Sequence, residues 1–200
     1  MTNARRPRPA RDSSLSTLAS VETAKMLGGV QSVTSRKAAA EHSKTKIPRP
    51  PLASDELWME EALRSAQRAM EAGEVPVGAV VVCDRRIVAS GSNRSIAGSD
   101  PTAHAEIIAL REAGANMGNY RLEDCELFST IEPCAMCAGA MVHARIKRLV
   151  YGADDPKAGA VHSVMQVLNH SRLNHKIEVQ SGVLAGRSAE MLQVFFRNRR

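Results

Sequence analysis

Two short motifs, far apart in the chain, limit what it can fold into: His104-Ala105-Glu106 and Pro133-Cys134-Ala135-Met136-Cys137. One histidine and two cysteines make three zinc ligands. A catalytic zinc keeps three protein ligands and leaves the fourth position to water, whereas a structural zinc usually takes four. Glu106 stands two residues past the histidine, placed to move protons rather than to bind metal. Cys134 and Cys137 are three apart and share one face of a helix. With Pro133 at the first helical position, both fall in a first turn, where the positive helix end favours the thiolate that zinc needs. His104 and Glu106 would splay on a mid-helix surface. In a first turn after Asp100-Pro101-Thr102 both can reach forward past the helix end, so the pattern predicts two helix N-termini facing one pocket.

Other uses of these residues have different requirements. A redox pair of cysteines needs neither His104 nor Glu106. A structural zinc needs a fourth ligand, for which Cys125 and His143 are the nearest candidates, and it leaves Glu106 without a purpose. Cys83 and Cys125 read as small core hydrophobes. His143, His170 and His175 read as surface or helix-end histidines.

The chain has 200 residues, a length that suits one domain, and its hydrophobic content of 44% is enough for a packed core. No apolar run approaches the ~18 residues of a membrane span. Aromatics make up 3%, too few for a platform on which many bases stack. The net charge of +6 is unevenly spread. Residues 1–52 carry ten basic and three acidic side chains, which leaves the remainder at −1. The basic character therefore belongs to the leader, and any nucleic-acid affinity of the rest has to come from local patches. An apolar signal-peptide core is absent, and thiolate ligands require reduced thiols, which points to the cytoplasm or another reducing compartment.

Residues 1–52 lack periodicity, are rich in Ser, Ala, Arg and Pro, and close on Ile47-Pro48-Arg49-Pro50-Pro51. They read as a disordered basic extension. An organelle transit peptide and a mis-assigned start codon are the alternatives. The folded domain is expected over residues 53–200. Ser54 is a good N-cap for a helix on which Leu57, Ala62, Leu63, Ala66, Ala69 and Met70 recur at helical spacing, ended by Gly73. A buried strand follows over 75–83 and turns through Asp84-Arg85-Arg86 into a second over 87–91. Helices are expected from about Thr102 to Ala113 and from Pro133 to Ala144. Strands are expected over 126–130, 148–152 and 176–183, with a short helix near 161–168 and a last helix over 184–197. Alternating strands and helices predict an α/β domain with helices on both faces of a mixed sheet.

The pattern H-x-E…P-C-x-x-C is a known signature of zinc deaminases. Zinc brings the pKa of bound water toward ~7, and a glutamate moves its proton to a ring nitrogen and then to a leaving amine. Beyond that motif, the chain from about Leu57 to Arg200 resembles the bacterial tRNA-specific adenosine deaminases, which convert the wobble adenosine of an anticodon to inosine. The resemblance runs through Glu74-Val75-Pro76-Val77-Gly78-Ala79, Asn93-Arg94, Asp100 to Ile107, Asn119-Tyr120-Arg121-Leu122, Glu132 to Met141, Tyr151 to Lys157, and the closing Phe195-Phe196-Arg197-Asn198-Arg199-Arg200.

The resemblance implies a three-layer α/β/α sandwich on a five-stranded mixed sheet, a homodimer acting on the tRNA anticodon arm, and one zinc ion per subunit. His104, Cys134 and Cys137 would hold the zinc, with Glu106 as proton shuttle. Asn93 would hydrogen-bond the flipped adenine, or hold a turn after its strand. Asp155 would lie near the nucleotide and Val77 would line the base pocket. Phe196, Arg199 and Arg200 would meet the RNA, and one of the adjacent Phe195 and Phe196 would face the core. His162 departs from the family, which often has a small residue there. Within the superfamily the competing activity is deamination of a free base or nucleotide (guanine, cytosine or dCMP). A non-catalytic zinc-binding subunit is the competitor of another class, and an intact Glu106 argues against it.

Overall fold

The computed structural model describes residues 53–199. The expectations for residues 1–52 and for Arg200 fall outside the described residues. The elements in chain order are α1 (Ala53–Glu71), β1 (Gly78–Cys83), β2 (Arg86–Ser92), α2 (Ala105–Met117), β3 (Cys125–Ile131), α3 (Ala135–Ala144), β4 (Arg148–Ala153), β5 (Glu178–Gln180) and α4 (Ala185–Arg197). The strands form one sheet in the order β2-β1-β3-β4-β5. β1 runs antiparallel to β2 and β3, while β3, β4 and β5 are parallel. The sheet is mixed, as the tight turn after β1 requires. That turn places Asp84 and Arg85 at φ 48° and 61°, the pair of positive values that lets a two-residue hairpin follow the strand twist.

Side chains on adjacent strand positions point to opposite faces, and two apolar layers result. Val80, Val82, Phe128 and Val150 pack with Met59 and Ala62 of α1 on one face. Ala79, Val81, Leu127, Leu149 and Tyr151 pack with α2 and α3 on the other, through Ile107, Ala109, Cys137 and Met141. α4 lies beside α1 and against β4. This is the expected α/β/α sandwich. Burying each large apolar side chain contributes roughly 1.5–3 kcal/mol. α2 comes so close to β2 that a Cβ on Gly91 would stand 2.1 Å from the Ala105 carbonyl oxygen. Glycine at that strand position lets the start of α2, and with it the functional site, sit against the sheet.

Arg148 ties the first helix to the sheet. It opens β4 and reaches Asp55 of α1 at 2.9 and 2.5 Å and Glu126 of β3 at 2.8 Å. The Asp55 carboxylate, then that of Glu126, hold its guanidinium well above the usual arginine range.

Several local expectations are corrected. Leu57 is 58% exposed, and Met59 takes the core position. α2 starts at Ala105 rather than Thr102, because Asp100 Oδ1 accepts the Thr102 N–H at 2.7 Å and holds an Asx turn there. It runs on past Ala113 to Gly118, whose φ of 62° ends it. Pro133 lies just outside α3, for which Cys134 is the N-cap. The stretch 161–168 is a chain of turns, not a helix. The N–H groups of Val161, His162 and Ser163 donate to the Glu132 carboxylate instead of building a helical ladder. β1 begins at Gly78, three residues later than expected. β5 is a short edge strand, exposed throughout, which suits a sheet margin.

Candidate metal centre and active site

Two helix N-termini converge on one point. His104 is the N-cap of α2 and Cys134 the N-cap of α3; both have extended backbone, and neither side chain caps its own helix. Both side chains are free to turn toward each other. Cys134 Sγ and Cys137 Sγ each lie 3.6 Å from His104 Nδ1. The three donor atoms lie within 4.8 Å of one another. A tetrahedral zinc with Zn–S about 2.3 Å and Zn–N about 2.05 Å sets its N and S ligands roughly 3.6 Å apart. The donor set therefore fits zinc in both chemistry and spacing. Cys125 and His143 do not join it: Cys125 Sγ contacts Met117 Sδ at 3.6 Å, and among the described residues the cluster has three members.

Glu106 sits one position inside α2, fully buried beside the trio. Ser129 Oγ donates to its Oε1 at 3.3 Å, and Cys137 Sγ lies 3.5 Å from its Oε2. Burial pushes the Glu106 carboxyl above its ordinary range, with the neighbouring His104 pulling the other way. The two thiols divide one proton. A hydrogen bond from Cys137, then one from His104, hold Cys134 down to about 3 against the opposing effect of burial. Cys137 is pushed far up by its bond to that thiolate and by burial. His104 is raised, first by its bond to Cys134. A thiolate is thus favoured at the α3 N-terminus before any ion arrives.

His104 and Cys134 open on a cavity of about 810 Å³, within the range of small-molecule sites. Val77, Asn93, Asp155 and Phe196, all singled out in the sequence, line it together with His104, Glu106 and Cys134. Asn93 Oδ1 accepts the Ala105 N–H at 2.9 Å. It thus holds the start of α2, twelve residues on, rather than a turn directly after its own strand, and leaves Nδ2 for a ligand. Asp155 Oδ1 accepts from the Lys157 and Ala158 N–H groups at 2.9 and 3.2 Å. Phe195 is 6% exposed and Phe196 50%, so one faces the core as expected. Arg199 stands apart from the cavity. Its guanidinium donates to the Gly73 carbonyl and lies 4.3 Å over the Phe195 ring. Arg197 and Lys157 supply the basic groups of the cavity wall.

Sequence reasoning gave no role to three buried groups. Glu132 accepts five hydrogen bonds, from the N–H groups of Asp155, Val161, His162 and Ser163 and from Ser163 Oγ. Burial alone would raise its carboxyl; the bonds from His162 and Ser163 outweigh it and hold it down to about 2. Glu74 accepts from the Ile96 and Ala97 N–H groups at 3.1 and 2.7 Å. Ser129 contacts Glu106. The available signal was a glutamate beside a proline-bounded apolar segment, Glu74-Val75-Pro76 and Glu132-Pro133, where a solvated charge has no place. His162 shares a 2.5 Å hydrogen bond with Tyr151 Oη and lies 3.5 Å from Asp154 Oδ1.

An α/β/α sandwich that seats such a donor set at two helix ends has the form of a zinc-dependent deaminase. Residues 52–153 match the cytidine and deoxycytidylate deaminase zinc-binding region, and the chain belongs to that family. It is 53% identical over 147 residues to a tRNA-specific adenosine deaminase of Haemophilus influenzae, covering 73% of this chain and 85% of the relative. A tRNA-specific adenosine deaminase of Bacillus subtilis is 44% identical over 149 residues, 74% of this chain and 92% of the relative. A solved structure from a study of A-to-I editing by tRNA:A34 deaminases superposes with a TM-score of 0.66 at 46% identity, over 68% of this chain and 99% of that one. A guanine deaminase of Nitrosomonas europaea superposes with a TM-score of 0.60 at 26% identity, over 74% and 94%.

Proposed function

We propose that this chain deaminates adenosine to inosine at the wobble position of tRNA anticodons. The observation that carries the reaction type is a buried carboxylate, Glu106, beside a three-donor zinc set at the wall of a cavity. The relatives named tRNA-specific adenosine deaminase support the choice of substrate.

His104, Cys134 and Cys137 hold the zinc, one ion per subunit. Zinc in such a set acts as a Lewis acid that makes water nucleophilic near neutral pH. Glu106 takes one proton from the attacking water and delivers it to the ring nitrogen, where it stays in the product; it then takes the second proton from the hydroxyl added to the base and gives it to the departing amine. Water adds at C6 of the adenine, the C6–N6 bond breaks, and ammonia leaves. The raised Glu106 carboxyl suits a group that must both accept and return a proton. Asn93 Nδ2 donates to the base, Val77 packs against it, and Asp155 faces the nucleotide. Phe196 offers an exposed ring for stacking at the cavity mouth, while Arg199 and Arg200 extend the contact to the RNA backbone. The enzyme works as a homodimer, as the family resemblance implies. It works in the cytoplasm, where Cys134 and Cys137 stay reduced. Among the described residues no helix is long and apolar enough to cross a membrane.

The test is to incubate the protein with a tRNA bearing a wobble adenosine, and separately with guanine, cytosine and dCMP, and to assay inosine and ammonia. Inosine at the wobble position is the expected result. Ammonia from a free base or nucleotide with the tRNA unchanged would assign the other branch of the superfamily.

A further inference from the structure

The strand end that leads into Cys134 and the outer wall of the cavity form one stitched unit. The Glu132 N–H donates to the Ala153 carbonyl at 2.8 Å, and the Ala160 N–H donates to the Pro133 carbonyl at 2.8 Å. Cys134 and Gly159 form an isolated antiparallel bridge. The Glu132 side chain lies at the centre, fully buried. Its Oε2 accepts from the Asp155 N–H at 3.1 Å and from Ser163 Oγ. Its Oε1 accepts from the N–H groups of Val161, His162 and Ser163 at 3.0, 2.8 and 3.0 Å. Five donors converge on a carboxylate that offers about four lone-pair sites, so both oxygens are fully engaged. Glu132, Asp154 and His162 also bring donor atoms within 4.8 Å of one another, but with both Glu132 oxygens engaged this cluster organises a loop instead of binding an ion. Space is equally committed: a Cβ on Gly159 would stand 2.2 Å from Glu132 Oε2 and 2.6 Å from the Asp155 carbonyl oxygen.

We infer that Glu132 is a positioning residue for the substrate: it fixes segment 154–158, the cavity wall that carries Asp155 and Lys157, at a set distance from the Cys134 end of the metal site. The inference rests on the tRNA-deaminase reading and extends it to a residue of the cavity lining whose carboxylate is taken up by the 155–163 segment and not by the metal donors. A wall contact is made equally in the ground and transition states, so its loss raises KM and leaves kcat per loaded site. A residue needed only for folding behaves otherwise, lowering the loaded fraction and leaving the KM of the remaining enzyme unchanged.

The experiment compares full-length wild type with Glu132→Gln, which replaces one acceptor oxygen by an NH2 that opposes the N–H groups around it. Zinc content, KM and kcat for a wobble-adenosine tRNA, and equilibrium tRNA binding are measured. Losing one buried charge-assisted hydrogen bond corresponds to about tenfold. The expected result is a rise of about that size in both KM and the tRNA dissociation constant, with kcat per bound zinc retained. Unchanged KM and unchanged binding, with activity falling in step with zinc content, would overturn the inference while leaving the tRNA reading intact. If wild type leaves the tRNA unmodified, that reading falls and this inference falls with it. Should Glu132→Gln not fold, Ser163→Ala and Gly159→Ala disturb the same unit, one by deleting a donor and the other by crowding. An unchanged KM in both overturns the inference equally.

Discussion

His104 Nδ1 stands 3.6 Å from Cys134 Sγ, and each residue is the N-cap of a different helix. N-cap side chains ordinarily accept a hydrogen bond from their own first turn. Here neither does, and the orphan N–H groups of both helix ends add positive potential around a site that holds a thiolate. Giving up two caps costs on the order of 1 kcal/mol each, an outlay that a bound zinc ion offsets many times over.

Metal removal is the first consequence. Chelation should abolish deamination and lower Tm, and added zinc should restore both. Elemental analysis should find one zinc per chain in wild type and none in His104→Ala. Because the ligands bind deprotonated, zinc affinity should fall as pH drops. Retention of zinc by Cys134→Ala through Cys125 would contradict the three-donor site.

Glu106→Gln keeps the shape of the side chain and removes its proton chemistry. Turnover of tRNA should fall by about 10²–10⁴-fold, while zinc content and Tm stay near wild type. Steady-state rates beside elemental analysis check this, and a rate within a few-fold of wild type would remove Glu106 from its assigned role.

Arg148→Met should be among the most damaging substitutions distant from the site. It leaves the Asp55 and Glu126 carboxylates without the guanidinium that both engage. Breaking a buried ion pair from one side costs roughly 3–5 kcal/mol. Urea denaturation should show the loss as a lower midpoint with unchanged slope, and kcat on zinc-loaded protein at low temperature should be retained.

Tyr151 gives a pH signature. Burial first, then the nearby Glu132 and Asp154 carboxylates, push its phenol from the ordinary 10.0 up to about 12. The folded-state pKa is raised, so the contribution is complete below pH 10 and disappears as pH rises toward 12. At about 1.4 kcal/mol per tenfold the loss is on the order of 2 kcal/mol. Tyr151→Phe should flatten that alkaline decline. At neutral pH it should cost about 1 kcal/mol, for the lost bond to His162. Denaturant midpoints across a pH series for the two proteins make the comparison.

Arg197 and Arg199, both near the C-terminus, should differ in what they cost the fold. Arg197 lines the cavity; Arg197→Ala should weaken tRNA binding and reduce the salt slope by about 0.7 for one single-strand phosphate contact. Arg199 is engaged with Gly73 and the Phe195 ring; Arg199→Ala should cost about 0.5–1 kcal/mol of stability from the cation–π contact and, through the RNA contact proposed for it, should weaken tRNA binding as well. A salt series with each single variant, beside its thermal denaturation, reads both effects.

The candidate metal cluster was legible in the sequence because its chemistry is local. Zinc selects histidine and cysteine, and three-residue spacing after a proline specifies a helix end, so His104, Cys134, Cys137 and Glu106 could be grouped before any fold was known. The layer architecture was legible for a similar reason: the apolar positions of β1, β3 and β4 alternate or run continuously as a buried sheet demands. The course of residues 154–168 was not legible. Its composition is compatible with a helix, and what prevents one is Glu132, which is remote in sequence and draws the N–H groups of Val161, His162 and Ser163 away from a helical ladder. The same limit hid the second task of Asn93 and the engagement of Arg199. The sequence by itself determined which atoms could bind a metal and move a proton. Only the tertiary structure decided which backbone groups the buried carboxylates would hold, because a hydrogen bond between distant segments depends on a proximity that local spacing does not encode.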